Sequence, residues 1–236
     1  MKPPTPFEAI LLAELNLGLP PMSFYKLMKE PDDWSFVLKL HAILESALTR
    51  LLEKRLHDDG FDAYTNFVGK AQLAFELQEV ALDKEYQGFY FALNSLRNLF
   101  AHNAKYICAD LRTVLLSIPH AKRRSVPQRL GLSFVEHGPE RGLNRSTTPC
   151  DLDEATLKSL RDNCVSLYPR YKLLMSAGNA LVTLSLAYYI QLGKDGKFYA
   201  QEFRPQLQDL LNDPAVLDFR KWYANDFPDG TIAGLS

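Results

Sequence analysis

Cysteine is scarce in this sequence of 236 residues, and its spacing excludes two kinds of site. The three cysteines, Cys108, Cys150 and Cys164, are odd in number and widely separated, and no CxxC pair occurs. A disulfide framework and a structural zinc site are therefore not indicated. We expect the cysteines to be chemically inert, and we expect the protein to use no metal and no cofactor.

An excess of charge of either sign is also missing. The 27 basic residues are balanced by 28 acidic ones, so the net charge is −1 at pH 7. A nucleic-acid site would therefore have to be a local patch. The start of the chain lacks the basic-then-apolar pattern of a signal peptide. The longest apolar run, Ala180 to Ile190, is too short to cross a bilayer. We expect a cytoplasmic protein without a membrane partner.

Strand patterns are nearly absent, and apolar residues recur instead at spacings of three and four. This periodicity predicts an all-α fold, an antiparallel helical bundle. Thr5, Pro6 and Glu8 have the spacing of a capping box with proline at the first helical position, which predicts a helix start. Further helices are predicted over 23–29, 34–57, 65–82, 84–102, 104–118, 151–168, 173–192 and 206–211.

Changes in composition divide the chain into three predicted parts. Residues 1–31 form an N-terminal helical arm, residues 32–192 the bundle, and residues 193–236 a C-terminal extension. Within the bundle, residues 119–150 are rich in Gly, Pro, Ser and Thr and carry six Lys and Arg residues. We expect a long basic loop there, and such a loop in a compact domain is either functional or a solvated insertion.

One stretch of the helix predicted over 84–102 combines polar groups with an apolar frame: Leu96-Arg97-Asn98-Leu99-Phe100-Ala101-His102. An Arg-x4-His spacing is weak alone, because it arises by chance in chains of this composition. Together with the helix His41–Leu52 and the segment Phe67–Ala74, the motif resembles the HEPN superfamily, in particular the branch similar to the mannitol operon repressor.

The resemblance implies a helical bundle that dimerises and brings two Arg-Asn-x3-His segments into one cleft. Many members of the superfamily are metal-independent ribonucleases that act as toxins or in phage defence. RNA, a homodimer, and an antitoxin or regulatory protein are the partners so implied. Other members have lost catalysis and serve as RNA-binding or regulatory modules. That alternative stays open, as does a purely structural helical protein.

Metal-independent cleavage of RNA needs a base for the 2′-hydroxyl, an acid for the departing oxygen, and positive charge near the phosphorus. His102 can be base or acid, because an imidazole titrates near neutrality. The guanidinium of Arg97 suits a phosphate, and Asn98 can fix His102 or hold the RNA backbone. In a straight helix Arg97 and His102 point about 140° apart. Either the helix bends, the arginine reaches round, or two protomers supply complementary groups.

Other residues are weaker candidates for the same site. Asn94 lies one turn before Asn98, Tyr106 is a candidate for stacking on a base, and Glu45 and Lys70 are candidates to face the cleft. The basic loop would contact the RNA backbone through Lys122, Arg123 and Arg124. The alternative is an ordinary bundle, in which Arg97 pairs with an acid, His102 caps a helix end, Tyr106 is packed, and Glu45 and Lys70 are surface charges.

Overall fold

Helices make up the regular structure throughout the part of the chain that the computed structural model describes, residues 4–56, 66–77, 84–119, 125–132, 155, 165, 169–194 and 199–226. No strand occurs in these residues, which confirms the all-α prediction. The α-helices are α1 (Pro6–Asn16), α2 (Ser23–Lys26), α3 (Asp33–Leu56), α4 (Phe67–Glu76), α5 (Lys84–His102), α6 (Leu111–Ser117), α7 (Ser125–Arg129), α8 (Pro169–Gln191), α9 (Tyr199–Glu202), α10 (Arg204–Leu211) and α11 (Pro214–Asp226).

Helix α1 begins where the sequence predicts. The Thr5 hydroxyl accepts a hydrogen bond from the Glu8 amide, and the Glu8 carboxylate accepts one from the Thr5 amide at 2.7 Å. The capping box is thus formed. The helix ends before Gly18, whose φ of +64° lies in the left-handed region that favours glycine. Phe7 and the five consecutive residues from Ile10 to Glu14 are buried, so α1 is covered on all sides and belongs to a core.

Helices α3 and α5 confirm the predicted apolar stripes. Asp32 caps α3, because its Oδ1 accepts a hydrogen bond from the Ser35 amide at 2.6 Å. The buried side chains of α3 include Val37, Leu40, Leu44, Leu48, Leu51 and Leu52, and those of α5 include Phe89, Leu93, Leu96 and Phe100.

The prediction of one continuous helix over 104–118 is wrong. A single 3₁₀ turn, Ala104–Tyr106, is followed by a break, and α6 starts only at Leu111. The break follows from Asp110, whose side chain accepts a hydrogen bond from the Thr113 amide at 2.8 Å and so caps a new helix. Ile107, which lies in this break, is 51% exposed.

The predicted basic loop contains a helix in the part of it that the structure describes. Helix α7 occupies Ser125–Arg129, and Leu130 and Leu132 after it are buried. Residues 125–129 are therefore helical, and Pro127, Leu130 and Leu132 are buried, which corrects the prediction of a loop over 125–129. The remainder of the loop lies outside the described residues, as do 78–83 and nearly all of the helix predicted over 151–168.

Helix α8 starts at Pro169, which occupies the first helical position, four residues before the predicted start. Its 23 residues are long and apolar enough to cross a membrane by length and composition, with a mean hydropathy of 1.5 over an 18-residue window. Of that window, 56% is buried inside the protein. A buried core helix has the same pattern, so this feature is weak evidence for a membrane span.

Helix α11 was not predicted, although its start signals are in the sequence. Asp213 accepts a hydrogen bond from the Ala215 amide at 2.8 Å, and Pro214 takes the first helical position. Val216 and Phe219 are buried, and the Phe219 ring lies 5.5 Å from that of Tyr25. The C-terminal region thus contributes to a core.

Contacts divide the chain into two compact units. The first consists of Met1–Leu27, Ala42–Leu82 and Gly178–Ser236, and the second of Met28–His41 and Asp83–Ala177. Helices α3 and α8 each contribute residues to both. The boundaries after residues 31 and 192, inferred from composition, stay a prediction.

Candidate functional site

Helix α5 carries the motif on the side opposite its apolar stripe. It runs without interruption from Lys84 to His102, so the helical register of the motif is fixed. Asn94, Asn98 and His102 follow one another at intervals of four and share a face, with Arg97 beside Asn98. Asn94, Arg97 and Asn98 are partly exposed and His102 is exposed. This polar face belongs to the second unit.

The guanidinium of Arg97 contacts its own neighbour and no acid in the described part of the chain. Its Nη1 donates a hydrogen bond to Oδ1 of Asn98 at 3.1 Å. Within the described residues Arg97 forms no ion pair. The ordinary bundle in which Arg97 pairs with an acid is therefore not observed in these residues. Most of the five N–H groups of the guanidinium are still available for a ligand.

His102 is the last residue of α5, but another side chain caps the helix. Nδ2 of Asn103 donates to the carbonyl oxygen of Leu99 at 2.9 Å and so satisfies one of the free carbonyls at the helix end. Among the described residues no hydrogen bond or ion pair involves His102. Its imidazole is exposed at the end of the polar face.

Arg97 and His102 do not contact each other within one chain. Five residues of helix separate them by roughly 7.5 Å along the axis and by about 140° around it. The guanidinium is held toward Asn98, and α5 is unbroken over this stretch. The structure thus brings Arg97 and Asn98 together, while His102 stands apart at the helix end.

Asn94 contacts the side chain of a histidine that is not among the predicted site residues. His41 of α3 is only 6% exposed, and its Nε2 lies 3.4 Å from Oδ1 of Asn94. A signal for this contact exists in the sequence, because His41 lies next to the apolar stripe of α3 at Leu40 and Leu44. That position predicts burial, and a buried imidazole requires a polar partner.

Glu45 and Lys70 pair with each other. Lys70 Nζ lies 3.3 Å from Oε1 of Glu45, and the Lys70 side chain is 1% exposed, whereas that of Glu45 is 33% exposed. Both lie in the first unit and Arg97 lies in the second. Their place in a cleft shared with the motif stays a prediction. Glu45 and Arg50 line an open cleft of about 650 Å³ between α3 and the turn at Gly18.

Removing Glu45 while Lys70 stays is expected to destabilise the first unit. Glu45→Gln should lower the free energy of unfolding by about 2 kcal/mol, because a buried ammonium then loses its carboxylate. Lys70→Met should cost less, since a methionine fills similar volume without a charge. Urea unfolding of both variants and of the double variant checks this. If the double variant loses as much free energy of unfolding as the two single variants lose together, the pairing is contradicted.

The other predicted residues fall in two groups. Tyr106 is 8% exposed, its hydroxyl lies 2.6 Å from Oγ of Ser117, and Lys105 Nζ lies 4.6 Å from its ring centroid. This is the packed position that the alternative interpretation assigned to it. The three adjacent basic residues lie outside the described residues: Lys122, Arg123 and Arg124.

Within the described ranges, no group of three or more His, Cys, Asp and Glu side chains is close enough to hold a metal ion. The expectation of a metal-free site stays a prediction. Comparison of the chain with models of protein families, with curated proteins and with solved structures finds no match.

Proposed function

We propose that this protein is a metal-independent ribonuclease of the HEPN type that acts as a homodimer. The observation that carries the proposal is the polar face of α5. It holds a guanidinium that pairs with no described acid and, five residues further, an exposed imidazole. A phosphate-binding group and an acid–base group are the minimum that RNA cleavage without a metal requires.

In the proposed reaction the 2′-oxygen of a ribose attacks the adjacent phosphorus, and the bond from phosphorus to the 5′-oxygen breaks. The imidazole of His102 takes the proton of the 2′-hydroxyl or gives a proton to the departing 5′-oxygen, and water makes the other of these two proton transfers. Arg97 stabilises the negative charge on the phosphorane, with its guanidinium oriented by Asn98. The products are a 2′,3′-cyclic phosphate and a 5′-hydroxyl.

A dimer supplies what one chain lacks. Because Arg97 and His102 lie on different sides of a continuous helix, one RNA phosphate is not within easy reach of both in a single protomer. In a two-fold dimer, Arg97 of one protomer and His102 of the other would flank the same phosphate. The resemblance to HEPN proteins supports this arrangement. Toxin or phage-defence activity in the cytoplasm, with an antitoxin as partner, belongs to the same proposal.

Purified protein is expected to cut single-stranded RNA in the presence of EDTA and to leave cyclic phosphate ends. Arg97→Ala and His102→Ala should each slow cleavage at least about a hundredfold, because each removes one of the groups that act on the phosphate. Arg204→Ala, which removes an exposed arginine at the start of α10, is the matched control and should cut normally. Circular dichroism verifies folding. Undiminished cleavage by both motif variants would refute the proposal.

Mixing the two inactive variants tests the composite site. In a mixed dimer, the protomer with His102→Ala supplies an intact Arg97 and its partner supplies an intact His102, so activity should return. A monomeric protein, or a site within one chain, would give no recovery.

The separation of Arg97 and His102 also favours a second candidate function, a non-catalytic RNA-binding or regulatory protein. In that case the wild-type protein binds RNA through Arg97 and Asn98 without cutting it. The two functions are distinguished by the same experiment, since RNA binding without cyclic phosphate product supports the second.

A further inference from the structure

The two asparagines of the α5 face both have their side-chain oxygens occupied. Oδ1 of Asn98 accepts from Arg97 at 3.1 Å, and Oδ1 of Asn94 lies 3.4 Å from Nε2 of His41. An amide oxygen only accepts hydrogen bonds. With the Asn94 oxygen on this side, Nε2 of His41 is the donor in the imidazole tautomer that carries its proton on Nε2, and this contact holds the orientation of the Asn94 amide.

With its oxygens occupied, this face offers donors. The amide nitrogens Nδ2 of Asn94 and Asn98 each carry two N–H groups, and in the described part of the chain neither nitrogen has an acceptor. The guanidinium of Arg97 adds further N–H groups. A face made of N–H donors and one cationic group binds an anion with several oxygens, such as a phosphate, and repels cations.

We propose that His41 is a positioning residue that holds Asn94 with its amide nitrogen outward, so that Asn94, Asn98 and Arg97 form one phosphate-binding face. This assignment rests on the proposed function only in so far as the bound phosphate belongs to RNA. His41 is buried and acts through Asn94, so it touches no substrate itself.

The physical reason lies in the symmetry of the amide group. Rotation of the Asn94 amide by 180° exchanges its oxygen and nitrogen at little steric cost. The rotated amide turns its oxygen toward the phosphate. The amide oxygen and the phosphate oxygens are both hydrogen-bond acceptors, so no hydrogen bond forms between them. A donor on His41 opposes this rotation, because a rotated amide would place N–H against N–H. Contacts to phosphate carry no sequence information, so the face reads the backbone of the RNA rather than its bases.

Three variants of the full-length protein test the assignment. His41→Leu removes the donor, His41→Gln keeps a donor on a side chain of similar reach, and Asn94→Ala removes the amide. We expect inorganic phosphate to shift the side-chain amide resonances of Asn94 and Asn98 in ¹⁵N NMR spectra. His41→Leu and Asn94→Ala should each weaken phosphate and RNA binding about tenfold, the size of one hydrogen bond to a charged group. His41→Gln should bind within about twofold of the wild type.

The double variant decides whether the two residues act as a unit. His41→Leu with Asn94→Ala should weaken binding no more than either change alone, whereas independent effects would multiply and overturn the inference. In RNA cleavage the single changes should raise KM and leave kcat nearly unchanged. If His41→Leu fails to fold, the contrast between His41→Gln and Asn94→Ala carries the test, and equal losses in the two would contradict it.

Failure of the inference and failure of the proposed function give different results. Phosphate binding that depends on His41, without RNA cleavage, supports the positioning role and refutes the ribonuclease. RNA cleavage that His41→Leu leaves unchanged supports the ribonuclease and refutes the positioning role. An absence of phosphate shifts at Asn94 and Asn98 refutes the phosphate-binding face itself.

Discussion

Replacement of Glu14 by alanine is expected to lower the free energy of unfolding by about 4 kcal/mol. The Glu14 side chain is fully buried, and its two carboxylate oxygens accept hydrogen bonds from the Met22 amide at 2.7 Å and the Phe24 amide at 2.6 Å. Alanine leaves both amides without an acceptor, at about 1–3 kcal/mol each. The carboxylate thus holds the turn between α1 and α2, where Met22 has a φ of +65°.

Urea unfolding at pH 6 measures this loss, and Glu8→Ala on the same helix is the matched control. Glu8 accepts a single hydrogen bond, in the capping box, so its removal should cost only about 1 kcal/mol. Equal losses in the two variants would show that the buried carboxylate does not support the turn.

The same carboxylate gives the stability a defined pH dependence. Burial raises the pKa of Glu14 from 4.5 to about 7, against the opposing effects of its two backbone donors and of Lys26. Between those values the folded chain holds the proton that the unfolded chain releases. The stabilisation is therefore complete below pH 4.5 and is lost as the pH rises through 7, by about 3 kcal/mol.

Glu14→Gln does not titrate, so it isolates this effect. The free energy of unfolding of the wild type, minus that of Glu14→Gln, should fall between about pH 4.5 and 8 and be constant above that range. A difference that rises with pH would contradict the raised pKa, because it would mean that the folded chain prefers the charged carboxylate.

The sequence predicts the helices whose signals are local. The capping box at Thr5 and the stripes of α3 and α5 depend on residues three or four positions apart, and the structure confirms them. The break before α6 depends on the side chain of Asp110, which competes with the helix for backbone donors. Residues 104–118 keep the apolar spacing of a helix across this break, so the pattern alone predicts a continuous helix there.

Contacts between distant residues explain what sequence patterns did not reveal. Lys70 looks like a surface charge because its partner, Glu45, is 25 residues away. The contact of His41 with Asn94 spans 53 residues. In the candidate site, the face shared by Asn94, Asn98 and His102 follows from helical spacing. The direction of the Arg97 guanidinium does not, since it depends on the side-chain rotamers that bring Nη1 of Arg97 to Oδ1 of Asn98.

Asp33 joins three helices in the second unit, which local patterns also did not show. Oδ2 of Asp33 accepts a hydrogen bond from the Leu111 amide at 2.6 Å, and Oδ1 lies 3.4 Å from Nη1 of Arg170. Arg170 in turn donates to the carbonyl oxygen of Glu30 at 2.7 Å and lies 4.7 Å from the centre of the Phe36 ring. The start of α3, the start of α6 and the start of α8 are thus linked by one carboxylate.

Asp33→Ala is therefore expected to lower the free energy of unfolding by about 3 kcal/mol, since it leaves the Leu111 amide without this acceptor and removes the ion pair between Asp33 and the partly buried Arg170. Its neighbour Asp32 provides the control, because Asp32 caps its own helix and acts on Arg170 only through a weaker charge interaction without an ion pair. Asp32→Ala should therefore cost only about 1 kcal/mol. Denaturant unfolding of both variants measures the difference. With Arg170→Leu in the background, Asp33→Ala should cost clearly less, because the ion pair is already absent. Equal costs for the two aspartates would mean that Asp33 acts as a local cap and does not join the three helices.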